Sequence, residues 1–115
     1  MSFSGLKDVS YGGSAVKEIR WNNKGMRGRL NLQFLPPGIE HFDVSDNSIE
    51  GPIDFPHLPP QLISLDMSNN NIKQEVVELG ELPQTLELMD FTGNEIKRIV
   101  SKSTKETIDD PRIWF

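Results

Sequence analysis

The chain has 115 residues, 36% of them hydrophobic and 25% charged, and it contains no Cys. This length predicts one domain, and the absence of Cys excludes disulfide scaffolds, thiolate zinc sites and cysteine nucleophiles. The 12 Lys and Arg against 17 Asp and Glu give a net charge of −5. We therefore expect no nucleic-acid partner and no membrane partner, because both depend on a basic face or on an apolar span that the sequence lacks.

The amino terminus favours an intracellular protein. Its first ten residues lack the apolar stretch of a signal peptide, and the sequence has no Asn-x-Ser/Thr glycosylation acceptor. A cytoplasmic or otherwise intracellular location is therefore expected. The initial Met1 and the apolar C-terminal residues favour a complete small protein over a fragment.

Internal repetition predicts the architecture. The tripeptide Leu-Pro-Pro starts at Leu35 and again at Leu58, and Leu82-Pro83-Gln84 echoes it, with spacings of 23 and 24 residues. A period in the twenties indicates a solenoid. A common pattern opens four residues after the Leu of each junction, and a first, weaker copy lies upstream of them. The four copies have apolar residues at positions 1, 4, 6, 11 and 15 and span Val16–Leu30, Ile39–Ile53, Leu62–Val76 and Leu86–Val100.

The four copies resemble the leucine-rich repeat, L-x-x-L-x-L-x-x-N-x-L-x-G-x-[LI]. Gly28 and Gly51 at position 13, with the 23–24-residue period, are most similar to the plant-type subfamily and its protozoan relatives. The junction at 55–60 also resembles short bacterial effector repeats, whose period is nearer 20. Gln74 and Arg98 replace the Gly in the later copies.

The alternation of apolar positions 4 and 6 with polar neighbours predicts one short strand per copy, near residues 17–22, 40–45, 63–68 and 87–92. The expected fold is an α/β-type solenoid, and the resemblance implies a right-handed superhelix. Its four parallel strands line the concave face, and its convex side is mostly irregular. Residues 1–14, with Phe3, Leu6, Val9 and Tyr11, are predicted as the N-terminal cap, 15–100 as the repeats and 101–115 as the C-terminal cap.

Three local features complete the expected structure. Asn at position 9 is predicted to satisfy backbone groups inside each turn, so that a structural ladder forms from Asn47, Asn70 and Asn94. A short helical turn is expected at 74–80 with Gly80 as its C-cap, and a capping box at 103–106 predicts a short helix. The terminal Ile113-Trp114-Phe115 either docks on the last repeat or anchors a partner.

The search for catalytic chemistry predicts that the chain is not an enzyme. His41, Asp43 and Ser45 share one face of a strand, but neighbours two apart are separated by about 6.6 Å, whereas a nucleophile and its base need about 3 Å. The only two His, at 41 and 57, lack metal-ligand spacing, and no phosphate-binding or dinucleotide motif occurs. We expect no cofactor and no metal.

The exposed side of the predicted sheet is the candidate binding surface. Its position-5 column is Arg20, Asp43, Asp66 and Asp90, and we expect Arg20 to pair with Asp43. The bland alternative is that these polar residues only solvate the sheet. The candidate protein-binding residues are Arg20, His41, Asp43, Ser45, Asp66, Ser68, Asp90 and Thr92.

The resulting functional hypothesis is a non-catalytic protein-interaction module that binds a basic protein through its concave face. Four strands give a face of about 240 Å², well below the roughly 800 Å² per partner of a standard interface. Stronger binding therefore needs the convex loops, the caps, self-association or a place within a larger assembly. The alternative is a structural subunit or a fragment of a larger, receptor-like or effector-like repeat protein.

Overall fold

A computed structural model describes residues 16–29 and 35–115 of the chain. The predicted N-terminal cap at 1–14 and the last residue of the first copy, Leu30, lie outside the described residues. Within those two ranges the chain forms strands and no helix. In chain order the strands are β1 (Glu18–Arg20), β2 (Arg27–Arg29), β3 (His41–Asp43), β4 (Ser48–Glu50), β5 (Ser64–Asp66), β6 (Lys73–Leu79), β7 (Leu88–Asp90), β8 (Glu95–Ser101) and β9 (Ile113–Trp114).

The principal sheet takes one strand from each repeat and one from the C-terminal segment. Its five strands are parallel and run in the order β1-β3-β5-β7-β9. Apolar residues at repeat position 4 stack in register, for example Phe42 beside Leu65 and Leu65 beside Met89. The predicted parallel solenoid of about four turns is confirmed, but the expected number of four strands is wrong because β9 adds a fifth.

The return side of each turn is more regular than predicted. Strand β2 pairs with β4 and strand β6 pairs with β8, in both cases parallel. The helical turn predicted at 74–80 is wrong, because residues 74–79 belong to the seven-residue strand β6 and Gly80 follows it. Its β-branched Val76 and Val77 suit an extended conformation, and pairing with β8 supplies the hydrogen bonds that a helix would have supplied.

Gly80 permits a close backbone approach and does not cap a helix. A Cβ atom at this residue would lie 2.2 Å from the carbonyl oxygen of Pro56 and 2.9 Å from its carbonyl carbon. The N–H of Gly80 donates to the carbonyl of Phe55 at 2.7 Å. The residue is small because successive repeats come together here.

Gln74 joins the second repeat to the third, where β4 and β6 do not pair as strands. Its Oε1 accepts from the N–H of Ile53 at 2.7 Å, and its Nε2 donates to the carbonyl of Ile53 at 2.9 Å. The same Nε2 donates to the carbonyl of Val76 at 2.8 Å. The Gln74 carboxamide thus makes the two hydrogen bonds to Ile53 that a peptide group of a neighbouring, paired strand would make.

The core lies between the principal sheet and the return strands. It is continuous along the solenoid, because each repeat contributes apolar side chains that contact those of its neighbours. Phe55 and Phe91 meet edge to face with their ring centroids 5.7 Å apart. The largest fully buried side chains are Phe42, Phe55, Phe91, Met26, Ile39, Ile49, Ile53, Leu62, Leu65, Met67 and Ile72.

The C-terminal segment returns to the principal sheet without a helix. The helix predicted at 103–106 is wrong: residues 102–104 form a turn, 105–106 are irregular, and Thr107 then bridges Val100 in antiparallel fashion. Buried Ile113 then places β9 beside β7. Across the described ranges no helix is long and apolar enough to span a membrane.

Candidate functional site

The surface predicted to be concave is the outer face of the principal sheet. We call it the sheet face, and define it by the side chains at repeat positions 3 and 5, which flank the buried residue at position 4, together with the hydroxyl residues at position 7. The register places Asp43 beside Asp66 and Asp66 beside Asp90 on adjacent strands, which are about 4.8 Å apart. Strand β9 extends this column, because Trp114 lies opposite Asp90.

Each Asp of the column is held by the hydroxyl residue two positions later. Asp66 Oδ1 accepts from the N–H of Ser68 at 2.9 Å and from its Oγ at 2.6 Å. The equivalent bonds are 2.9 and 2.7 Å both for Ser45 with Asp43 and for Thr92 with Asp90. The hydroxyls therefore orient the carboxylates, and Ser45 and Ser68 are themselves buried.

Within residues 16–29 and 35–115, the other carboxylate oxygen of each Asp has no hydrogen-bond partner. No hydrogen bond to Oδ2 of Asp43, Asp66 or Asp90 comes from any residue that the structure describes. Ion pairs in the same part of the chain are Arg20–Glu18, Lys102–Asp54, Lys105–Glu78 and Arg112–Asp110. None of these includes an Asp of the column, so its three charges are uncompensated there.

The expected pairing of Arg20 with Asp43 is wrong. The guanidinium of Arg20 instead contacts the carboxylate of Glu18 at 3.2 Å, and both side chains are 54% exposed. Glu18 lies two residues earlier on the same strand and face, so it is reached without crossing to β3. An ion pair this exposed adds little stability.

The hydrogen bonds of His41 do not form a catalytic arrangement. Its Nδ1 lies 2.8 Å from the Oγ of Ser64 on the next strand, whereas the Oγ of Ser45 donates to Asp43. The hydroxyl and the imidazole of the suspected triad therefore have different partners. Among residues 16–29 and 35–115, no three His, Cys, Asp or Glu side chains form a group that could hold a metal ion.

The position-9 Asn side chains connect neighbouring repeats. Asn47 Oδ1 accepts from the N–H of Lys24 at 3.0 Å and of Met26 at 2.9 Å. Asn70 Oδ1 accepts from Ile49 N–H at 3.0 Å, and Asn94 Oδ1 accepts likewise from Ile72 at 3.1 Å. Carbonyls that accept from the three Nδ2 groups include those of Trp21, Val44, Ser45, Met67, Ser68, Phe91 and Thr92.

Position 8 of each repeat has a conformational role that was not predicted. Asn23, Asp46 and Asn69 have φ angles of 53°, 56° and 57°, and Gly93 has 75°. Asn, Asp and Gly are the residue types that tolerate a left-handed backbone. Their recurrence at position 8 could have predicted this conformation from the sequence. They form the turn after each strand.

Charge is segregated along the solenoid. Residues 16–29 contain five Lys and Arg and one Glu, whereas residues 35–94 contain 11 Asp and Glu and one Lys, a net charge of −10. The acidic column therefore lies inside a broadly acidic stretch. An electrostatic potential of this sign attracts basic groups and repels polyanions.

Two exposed aromatic residues end the chain, and one of them, Trp114, lies on the sheet face. Trp114 is 53% exposed and Phe115 is 51% exposed, and the other large hydrophobic side chains that the structure describes are more buried. Ile113 between them and the turn is buried. The segment was predicted either to dock on the last repeat or to anchor a partner. Ile113 docks on the last repeat, whereas the rings of Trp114 and Phe115 stay accessible.

Comparison with known proteins agrees with this geometry. The Leucine Rich Repeat family model matches residues 61–87, which include β5 and β6. The match supports a leucine-rich repeat family. No curated protein and no solved structure matches the chain. The similarity to the leucine-rich repeat family therefore rests on this match, on the repeated pattern and on the parallel solenoid.

Proposed function

We propose that the chain is a non-catalytic protein-interaction module that binds a basic protein segment through its sheet face. The leucine-rich repeat match and the solenoid fold support a role in protein interaction. The observation that supports the sheet face is the register of Asp43, Asp66 and Asp90, each fixed through Oδ1 and without an ion-pair partner among the described residues. Like charges on adjacent strands are unfavourable for stability alone.

The size of the face limits how the partner binds. Five strands give about 19 Å of width and about 16 Å of length, so the flat area is about 300 Å² against the roughly 800 Å² of a standard interface. The exposed Trp114 extends the sheet face at one end, and Trp is common among residues that dominate binding energy. The partner therefore contacts the aromatic end as well as the acidic column.

Two finer assignments belong to the same proposal. The 23–24-residue period, with Gly28 and Gly51 at position 13, supports a plant-type or protozoan-like repeat subtype. The absence of Cys supports an intracellular location, since small secreted domains commonly rely on disulfides. The alternative role as a structural subunit or part of a larger repeat protein gains no support from the contacts of the sheet face.

Quantitative capture of partners from an extract of the source cell tests the proposed function. The test variant carries Asp43→Asn, Asp66→Asn and Asp90→Asn, because Asn retains the Oδ1 that accepts from Ser45, Ser68 and Thr92. The matched control replaces three exposed Glu residues away from the sheet face with Gln, so that net charge changes equally: Glu75, Glu81 and Glu95.

We expect the parent and the control to retain the same protein from the extract and the test variant to lose most of it. Equal retention by all three would contradict binding through the acidic column. Loss by both variants would show that total charge alone governs retention.

A further inference from the structure

We propose that Asp90 and Trp114 together bind one arginine side chain of the protein partner, with the guanidinium stacked on the indole and hydrogen-bonded to the carboxylate. This inference rests on the proposed function, since it assigns a specific contact at one end of the sheet face. The two residues lie directly opposite each other in the β7–β9 register. Their side chains therefore project from the same face of adjacent strands, about 4.8 Å apart.

The indole of Trp114 is held in place before any partner arrives. Its Nε1 donates to the carbonyl of Pro111 at 3.1 Å, and buried Ile113 fixes the strand beside it. The ring nonetheless remains 53% exposed. A restrained, accessible indole attracts a cation over its face, and Arg is the more frequent partner in such contacts.

The carboxylate of Asp90 is similarly oriented and available. Its Oδ1 accepts from the N–H and Oγ of Thr92, at 2.9 and 2.7 Å, which leaves Oδ2 as the acceptor for a ligand. A guanidinium suits this pair better than an ammonium, because its planar fork both stacks on a ring and donates several hydrogen bonds to a carboxylate.

Arg112, a cationic side chain of the same segment, does not occupy the Asp90–Trp114 site. Arg112 precedes Trp114 by two residues, but its Nη2 contacts Asp110 Oδ2 at 2.7 Å and its Nε contacts Asp110 Oδ1 at 2.9 Å. A further contact at 3.3 Å joins Nη1 to the carbonyl of Leu86. Because Arg112 is committed to these partners, the negative charge of Asp90 remains for an incoming arginine.

The test is a titration followed in the two indole N–H signals of a ¹⁵N–¹H correlation spectrum, since the chain contains two Trp. The probe is the capped tripeptide Gly-Arg-Gly, and the matched control peptide has neutral citrulline in place of Arg. Trp21, which is packed against the core, is the internal reference. We expect the Arg peptide to move the Trp114 signal in a saturable way and to leave the Trp21 signal in place.

Variants then assign the contact. Asp90→Asn, which preserves the bonds to Thr92, should weaken the peptide's apparent affinity about fivefold, whereas Asp43→Asn at the far side of the column should change it little. An unmoved Trp114 signal overturns the proposal. Equal shifts with the citrulline peptide, or equal effects of the two Asp variants, also overturn it.

The outcome is distinguishable from failure of the proposed function. If the Arg peptide does not bind but the triple Asp→Asn variant still loses its captured protein, the sheet face stands and the Asp90–Trp114 site is wrong. If the Arg peptide binds as described but the triple variant, which includes Asp90→Asn, captures as the parent does, the Asp90–Trp114 pair binds arginine but the sheet face is not the interface for the captured protein.

Discussion

The side-chain oxygen of Asn70 accepts a 3.0 Å hydrogen bond from the backbone N–H of Ile49, which lies 21 positions earlier in the chain. The Nδ2 of the same carboxamide donates to the carbonyls of Val44 and Met67 at 3.1 and 3.0 Å. Asn70 is only 7% exposed, so water does not readily replace these bonds. One side chain therefore satisfies backbone groups of two successive repeats.

Asn70→Ala should destabilise the fold. Each buried backbone group left without a partner costs about 1–3 kcal/mol, and for a domain of this size about 1 kcal/mol lowers the melting temperature by roughly 4–8 °C. Calorimetry should show a fall of several degrees or more. The exposed neighbour Asn71 is the control, and Asn71→Ala should melt close to the parent. A parent-like melting temperature for Asn70→Ala would contradict the assigned contacts.

Gln74 provides a second test of how the repeats are joined. Gln74→Glu keeps the acceptor for Ile53 N–H but removes the donor to the carbonyls of Ile53 and Val76. We expect a loss in the free energy of unfolding of about 1–3 kcal/mol, because an added carboxylate faces two carbonyl oxygens. Denaturant unfolding measures it.

The control is Gln84→Glu, which makes the same chemical change at an exposed residue. It should leave the unfolding midpoint nearly unchanged. Equal midpoints for the two variants would show that the Gln74 carboxamide does not hold the second and third repeats together.

The ion pair between Asp110 and Arg112, just before β9, predicts that the stability of the fold depends on pH in the acid range. Hydrogen bonds from the side chain and the backbone of Arg112 lower the pKa of Asp110 from 3.8 to about 2. A carboxyl group whose pKa is lower in the folded state contributes stability that is full above the unfolded pKa and is lost as pH falls through the folded pKa. The contribution of Asp110 should therefore disappear between about pH 4 and pH 2.

Asp110→Asn tests this dependence. Its melting temperature should lie below that of the parent near pH 6, and the difference should shrink as pH falls from about 4 to 2. Asp109→Asn, at the exposed neighbouring residue, is the control and should show no such convergence. A difference that stays constant over this range would mean that the Asp110 charge does not stabilise the C-terminal segment.

The repeated features of the fold were predictable from the sequence. Strand positions followed from the alternation around Phe42, Leu65 and Met89, because a strand with one buried face must alternate. The row of Asp43, Asp66 and Asp90 followed from the same register. Whatever recurs in every copy is fixed by local pattern and by stacking, and both can be read along the chain.

The unpredicted features depend on distant partners. The segment at 74–80 has apolar residues that fit a helical turn or a strand, and only pairing with β8 decides between them. Arg20 had two carboxylates within reach, and the one on its own strand was favoured. Trp114 joined the sheet face because a two-residue strand outside the repeats docks on β7, which no repeat pattern indicates.

The association rate of the captured basic partner with Asp66→Asn, followed across ionic strength, tests the role of the sheet face most directly. Asp66 is the middle charge of the column, and its conversion to Asn retains the acceptor for Ser68. Between about 0.03 and 0.3 M salt the screening length falls from well above to below 10 Å, so steering by exposed charges weakens. Glu95→Gln, an equal charge change at an exposed residue away from the face, is the control.

If the column steers the partner, Asp66→Asn associates severalfold more slowly than the parent at low salt and its rate depends less steeply on salt. The Glu95→Gln rates should follow those of the parent. Indistinguishable salt dependence for Asp66→Asn and the parent would contradict recognition through the acidic sheet face.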